Sequence, residues 1–116
     1  MTKRILFVDD MEEMHGRVRI LFSRRGYKVD YVKTAEEAIE KINSGDMPYY
    51  AVVTDFELGK GNSLQYGTEV IRAVRKRDPS TLVVLISMEN HEEEAITSGA
   101  DEFLFKKELL SGRYLL

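Results

Sequence analysis

Two kinds of segment alternate along the chain. Short apolar runs rich in β-branched residues (Arg4–Val8, Tyr27–Val32, Ala51–Asp55, Leu82–Ser87 and Phe103–Phe105) read as buried parallel strands. Between them, apolar positions recur at helical spacing. Met11–Arg25 places Met14, Val18, Leu21 and Phe22 on one face, with Gly26 as the stop. Thr34-Ala-Glu-Glu37 has the form of a capping box and opens a helix running to about Asn43. Gly67–Arg77 carries Val70, Ile71 and Val74 and ends at Asp78–Pro79, and Asn90-His-Glu-Glu93 opens a short helix, Asn90 to Ser98, that stops at Gly99. Strand–helix alternation from end to end predicts an α/β fold: a five-stranded parallel sheet, doubly wound and flavodoxin-like, with right-handed crossovers. Only Lys107–Leu116 remains for a fifth helix, and Gly112 interrupts it, so that helix should be rudimentary.

A chain of 116 residues supports one domain, 1–116, with enough interior to fold without staples. Net charge is −3, spread as nine basic and eleven acidic residues in 1–58 and eight and nine in 59–116. No basic half or tail marks direct nucleic-acid binding. The absence of cysteine excludes disulfides, zinc–thiolate sites and cysteine nucleophiles. Ile5–Val8 is halted by Asp9–Asp10 after four apolar residues, too short for a signal peptide or a membrane span. The expectation is a cytoplasmic protein with no membrane partner.

In a parallel α/β sheet, ligands bind outside the carboxyl ends of the strands. Those ends carry Asp9 and Asp10 after the first strand, Asp55 at the third, Ser87 at the fourth and Lys106 at the fifth. Three carboxylates on one rim repel one another unless offset, and a hard divalent cation such as Mg²⁺ answers that need with oxygen ligands. Taken singly, each residue has a plainer explanation. Asp9–Asp10 suits a helix N-terminus, Ser87 a strand end or cap, and Lys106 a solvated loop. Asp55 ends an apolar strand against the core edge and so needs a partner.

The ordered set Ile5-Leu-Phe-Val-Asp9-Asp10, Val52-Val-Thr-Asp55, Gly67-Thr-Glu-Val-Ile-Arg72, Val84-Leu-Ile-Ser87 and Gly99-Ala-Asp-Glu-Phe103-Leu-Phe-Lys106 resembles the receiver domain of two-component response regulators, the CheY-like fold, over about residues 3–107. The resemblance implies roles. Asp55 would be the phosphoacceptor, attacking the phosphoryl group of a histidine kinase, a phosphotransfer protein or a small acyl phosphate. Asp10 would bind Mg²⁺ directly with Asp55 and the backbone carbonyl of Glu57, and Asp9 through a metal-bound water. Ser87 would donate to a phosphoryl oxygen, Lys106 would pair with Asp55 or the phosphate, and Phe103 would be the aromatic switch on the fifth strand. Self-phosphorylation and self-dephosphorylation would be the only chemistry, so the chain would not be an enzyme in the ordinary sense.

Four features depart from the family pattern. Gly59-Lys-Gly-Asn-Ser63 lengthens the loop after Asp55. Lys107 stands where a cis-proline is usual; a non-proline cis bond costs about 3–4 kcal/mol, so this bond should be trans or strained, and Lys106 redirected. Nineteen residues from Ser87 to Lys106 is about one helical turn short, and Met88 is bulky for its place. The tail is too short for a normal last helix, although Arg113-Tyr-Leu-Leu116 could cover part of the exposed face. A leftover apolar patch on the fourth helix–fifth strand–tail face would meet a target protein or a second copy. These departures keep open an alternative, a degenerate receiver acting as an interaction or dimerisation module without phosphorylation. A haloacid-dehalogenase-type phosphohydrolase fits poorly, because Asp9 and Asp10 are adjacent and no cap is present. His15 and His91 read as solvent-facing residues near helix starts.

Overall fold

The computed structural model describes residues 2–45, 48–59 and 65–114. Elements follow in the order β1 (Arg4–Val8), α1 (Glu12–Arg24), β2 (Lys28–Val32), α2 (Ala35–Ser44), β3 (Ala51–Asp55), α3 (Gly67–Arg77), β4 (Leu82–Ser87), α4 (Glu92–Ser98), β5 (Glu102–Phe105) and α5 (Lys106–Leu110). The five strands form one parallel sheet in the order β2-β1-β3-β4-β5. Successive side chains point to opposite faces, so β1 splits its apolar run. Leu6 and Val8 pack with Val52, Val83 and Leu85 against α2, α3 and α4. Ile5 and Phe7 pack with Val53, Val84 and Ile86 against α1 and α5. The doubly wound α/β architecture read from the sequence is the observed one. β3 is buried throughout and β1 from its second residue on, whereas the edge strands β2 and β5 are only half-buried.

Register places the site. Val8 lies opposite Thr54, Asp55 opposite Ile86, and Ser87 opposite Phe105. Asp9, Asp55, Ser87 and Lys106 therefore leave the sheet at one carboxyl edge, on neighbouring strands.

Several boundaries differ from those the sequence suggested. β2 begins at Lys28, because the Tyr27 amide is spent on the Phe22 carbonyl that closes α1. α2 keeps its Thr34 cap, whose hydroxyl accepts the Glu37 amide at 3.1 Å, but Glu37 takes the Thr34 hydroxyl at 3.0 Å. α4 starts at Glu92 with His91 as N-cap, and Asn90 instead caps from outside by accepting the Glu92 amide at 3.0 Å. α5 starts at Lys106 itself and lasts five residues, with the Glu108 carboxylate accepting the Phe105 amide at 3.0 Å. Every described peptide bond is trans, the one between Lys106 and Lys107 included.

Two arginines fasten the elements that follow α3. Arg75 of α3 donates to the Gly99 carbonyl at 2.7 Å, the Thr81 carbonyl at 2.6 Å and Asp101 Oδ2 at 2.7 Å. It thereby ties the end of α4 and the start of β5 to α3. Gly99 closes α4 with φ +103, a conformation that favours glycine. Arg25, the C-cap of α1, donates to the carbonyls of Gly112 and Tyr114. That grip folds the tail back so that Tyr114 packs on the α1 side of the core, as expected for part of the tail; Leu115 and Leu116 lie outside the described residues.

Gly67 marks a close approach of two segments. A Cβ there would stand 2.1 Å from the Asp55 carbonyl oxygen and 2.9 Å from Thr54 Oγ1. The Gly67 amide also donates to the Phe56 carbonyl at 2.7 Å, so α3 begins in contact with the end of β3. Gly67→Ala is expected to cost about 1–3 kcal/mol or more in urea denaturation, seen as a lower midpoint at unchanged m. A midpoint equal to the parent's would contradict this packing.

Candidate functional site

Each side chain at the carboxyl edge is placed by its strand and the first residues beyond it. Asp9 is fully buried, and its Oδ1 accepts the Met11 amide at 2.9 Å. Its Oδ2 lies 3.1 Å from Lys106 Nζ but at an angle that makes no hydrogen bond, so among the described residues this buried oxygen has no hydrogen-bond partner. Asp55 is buried, and its Oδ2 accepts from Lys106 Nζ at 3.1 Å. Lys106 is itself buried at 5% exposure. The trans bond to Lys107 has not redirected it, because β5 ends at Phe105 and α5 begins on the lysine. The redirection anticipated from the missing proline is therefore corrected. Asp10 stays exposed at the rim.

Asp9, Asp10 and Asp55 each offer an oxygen within 4.8 Å of the others'. Hard oxygen donors at this spacing, one of them buried and lacking a hydrogen bond, fit a small divalent cation such as Mg²⁺. Glu57, by contrast, is exposed and is not one of this trio. Its backbone is pinned at the mouth. The Phe56 amide donates to the Ile86 carbonyl at 2.9 Å and the Leu58 amide to the Gln65 carbonyl at 2.8 Å, with Glu57 bridged to Tyr66 between them. Beyond the acids opens a cleft of about 490 Å³, reached by Asp10, Asp55, Glu57, Ser87, Glu89 and Lys106.

The protein's own charges at this edge do not balance. Burial raises the Asp9 carboxyl above its ordinary value against the Met11 amide and Lys106, which pull it down. Burial first, and the Asp9 charge second, push Asp55 up to about 7 even with Lys106 beside it. Burial works against the charged form of Lys106, but the two carboxylates outweigh it and the net direction is up. One ammonium does not offset two buried acids and a third at the rim.

Ser87 Oγ accepts the Glu89 amide at 3.2 Å, at the start of the turn into α4. Met88 is 75% exposed and lies along the same cleft. Phe103 is half-buried, packs against the α2–α4 side of the core and meets Phe105 edge-on at 5.3 Å. Residues 60–64 of the glycine-containing insert lie outside the described residues.

Both histidines are misjudged as solvent-facing. His15 donates from Nε2 to the Asp9 carbonyl at 2.7 Å and packs between Phe7 and Tyr31. His91 stacks on Phe56 with ring centroids 3.7 Å apart and planes 12° from parallel. His91 with Glu94 three residues on is a readable pair. Its contact with Phe56, thirty-five residues earlier, leaves no local trace in the sequence.

The family model for the response regulator receiver domain matches residues 5–111. Chemotaxis protein CheY of Thermotoga maritima is 29% identical over 110 residues, covering 91% of this chain and 87% of that protein. Among solved structures, the response regulator protein TrrA of Thermotoga maritima in complex with Mg²⁺–BeF is 30% identical, with a TM-score of 0.76 over 90% of this chain and 86% of that one. A CheY-like receiver domain protein from Methanospirillum hungatei shares the fold at a TM-score of 0.80 and 24% identity, over 96% and 90% of the two chains. The chain belongs to the response regulator receiver domain family of two-component signalling, and its acidic cluster of Asp9, Asp10 and Asp55 is typical of the family's phosphoacceptor site. Among the described residues, no helix is long and apolar enough to cross a membrane.

The raised Asp55 carboxyl has a consequence for stability. A folded-state value above the unfolded 3.8 means that protonation favours the folded state. The stabilising share is complete below about pH 4 and is lost as pH rises through about 7. In cation-free buffer, Asp55→Asn is expected to raise Tm at alkaline pH by the equivalent of at least about 1 kcal/mol, the gain shrinking as pH falls from 7 toward 4. A pH-independent effect, or a loss of stability, would contradict the charge imbalance.

Proposed function

We propose that this receiver accepts a phosphoryl group on Asp55 in the presence of Mg²⁺ and uses it to switch a protein-interaction face. The observation that carries the reading is the buried Asp55–Lys106–Asp9 constellation, open on one side to a cleft and bounded there by Asp10. One Asp55 oxygen forms a bond to phosphorus as the phosphorus–nitrogen bond of a phosphohistidine, or the phosphorus–oxygen bond of an acyl phosphate, breaks. The electron pair departs with the leaving group. Lys106, already on Asp55 Oδ2, balances charge on the transferred group. Asp10, Asp55 and the Glu57 carbonyl would hold Mg²⁺ directly and Asp9 would act through a water; the ion supplies charge neutralisation for the transfer. A 30% identical relative was solved with Mg²⁺–BeF, which supports carrying this chemistry across.

Ser87 would donate its hydroxyl to a phosphoryl oxygen while still accepting the Glu89 amide. That new contact biases the turn before α4, and Phe103 on the adjacent β5 is the side chain placed to follow it. The face of α4, β5 and the tail then meets a target protein or a second copy, and Ile96, 67% exposed on α4, is an apolar contact available there. A histidine kinase or phosphotransfer protein would supply the phosphoryl group, in the cytoplasm. The domain's only chemistry would be its own phosphorylation and dephosphorylation.

The degenerate-receiver reading rests on the Lys106–Lys107 bond, Met88, Glu57 and the short tail. The hydrogen bond of Lys106 to Asp55 favours the competent reading instead. Incubation with acetyl phosphate and Mg²⁺ is expected to add one phosphoryl group by intact mass, with none on Asp55→Asn and none after chelation. Full labelling of Asp55→Asn, or no labelling of the parent, would overturn the proposal.

A further inference from the structure

The turn from Ser87 to α4 must hold its place if Ser87 is to meet a phosphoryl oxygen, yet among the described residues its hydrogen bonds are local. Glu89 bonds back to Ser87, Glu92 to Asn90, and the Ala95 amide to the His91 carbonyl. What reaches across to the segment carrying Asp55 is a ring stack. Phe56, the residue after Asp55, lies face to face with His91 at 3.7 Å and is flanked by Tyr66 at 5.1 Å. The His91 ring is 18% exposed, lines the cleft, and has Nδ1 2.6 Å from Glu94 Oε2. It bridges the two segments that must act together, the end of β3 and the turn after β4.

From this geometry we propose that His91 is a positioning residue for phosphoryl binding. Its stack on Phe56 holds the turn 88–91 against the β3 end before any ligand arrives, so Ser87 and the following amides are already in place. A preorganised turn loses less freedom when the phosphoryl group binds. The ring, rather than imidazole acid–base chemistry, does this, and the Glu94 pair is secondary. This inference rests on the phosphoacceptor reading of the site and adds to it a residue that acts through Phe56 and the turn, without touching the phosphoryl group.

The test compares the parent with His91→Ala, His91→Phe and Glu94→Gln, using two readouts. Amide hydrogen exchange at residues 88–90 is measured without ligand, and the affinity for beryllofluoride with Mg²⁺ is followed by NMR, since the chain has no tryptophan. An offset or face-to-face ring pair is worth enough for His91→Ala to weaken beryllofluoride binding by about three- to tenfold and to speed exchange at 88–90. His91→Phe is expected to restore both, and Glu94→Gln to leave both near the parent's. Unchanged exchange and affinity in His91→Ala, against a parent that binds, overturns the role of His91 alone. A His91→Phe variant as weak as His91→Ala overturns the stack as its basis. A parent that binds no beryllofluoride overturns the reading of the site, and this role with it.

Discussion

Lys106 is buried between Asp9 and Asp55, and most of what is distinctive in the molecule serves that juxtaposition. Two carboxylates cannot share a dry pocket without compensation, and one ammonium supplies only half of it. The remainder appears as a raised Asp55 carboxyl and a buried Asp9 oxygen that has no hydrogen bond among the described residues. The site is thus poised to gain from a divalent cation, and it keeps that imbalance because β1, β3 and β5 are held in register by a sheet whose three inner strands, β1, β3 and β4, are almost wholly buried.

The same constraint explains how a short C-terminal third is tolerated. α4 has seven residues and α5 five, so β5 has little helical cover to hold it. Arg75 fastens both ends of the α4–β5 connection to α3, and Arg25 folds the tail onto α1. These long side chains hold the short helices in place through hydrogen bonds to carbonyls. They leave the end of β5 where Lys106 can reach the acids, with no proline required.

The sheet and the acids were legible in the sequence because both rest on local pattern. Apolar β-branched runs specify strands, and the residue after each run falls at the sheet's edge whatever the loops do. Asp9, Asp55, Ser87 and Lys106 could therefore be placed together before any coordinates. Helix limits were less legible. His91 rather than Asn90 ends up as the N-cap, because the first backbone bond of α4 runs from the Ala95 amide to the His91 carbonyl, and α5 starts on the lysine itself. The histidines were misread for a different reason. His15 and His91 are defined by rings from distant strands, Tyr31 and Phe56, and no spacing rule encodes that contact. Lys107 in place of a proline does not redirect Lys106, because the register of β5 is sufficient to bring the lysine to Asp55.

If the charge imbalance at the β1 and β3 ends is the organising feature, cation binding is its most direct expression. Isothermal titration of the parent with Mg²⁺ at neutral pH is expected to show one saturable site, which Asp10→Asn removes or severely weakens while the fold, followed by circular dichroism, is retained. No saturable binding by the parent, or undiminished binding by Asp10→Asn, would contradict the account.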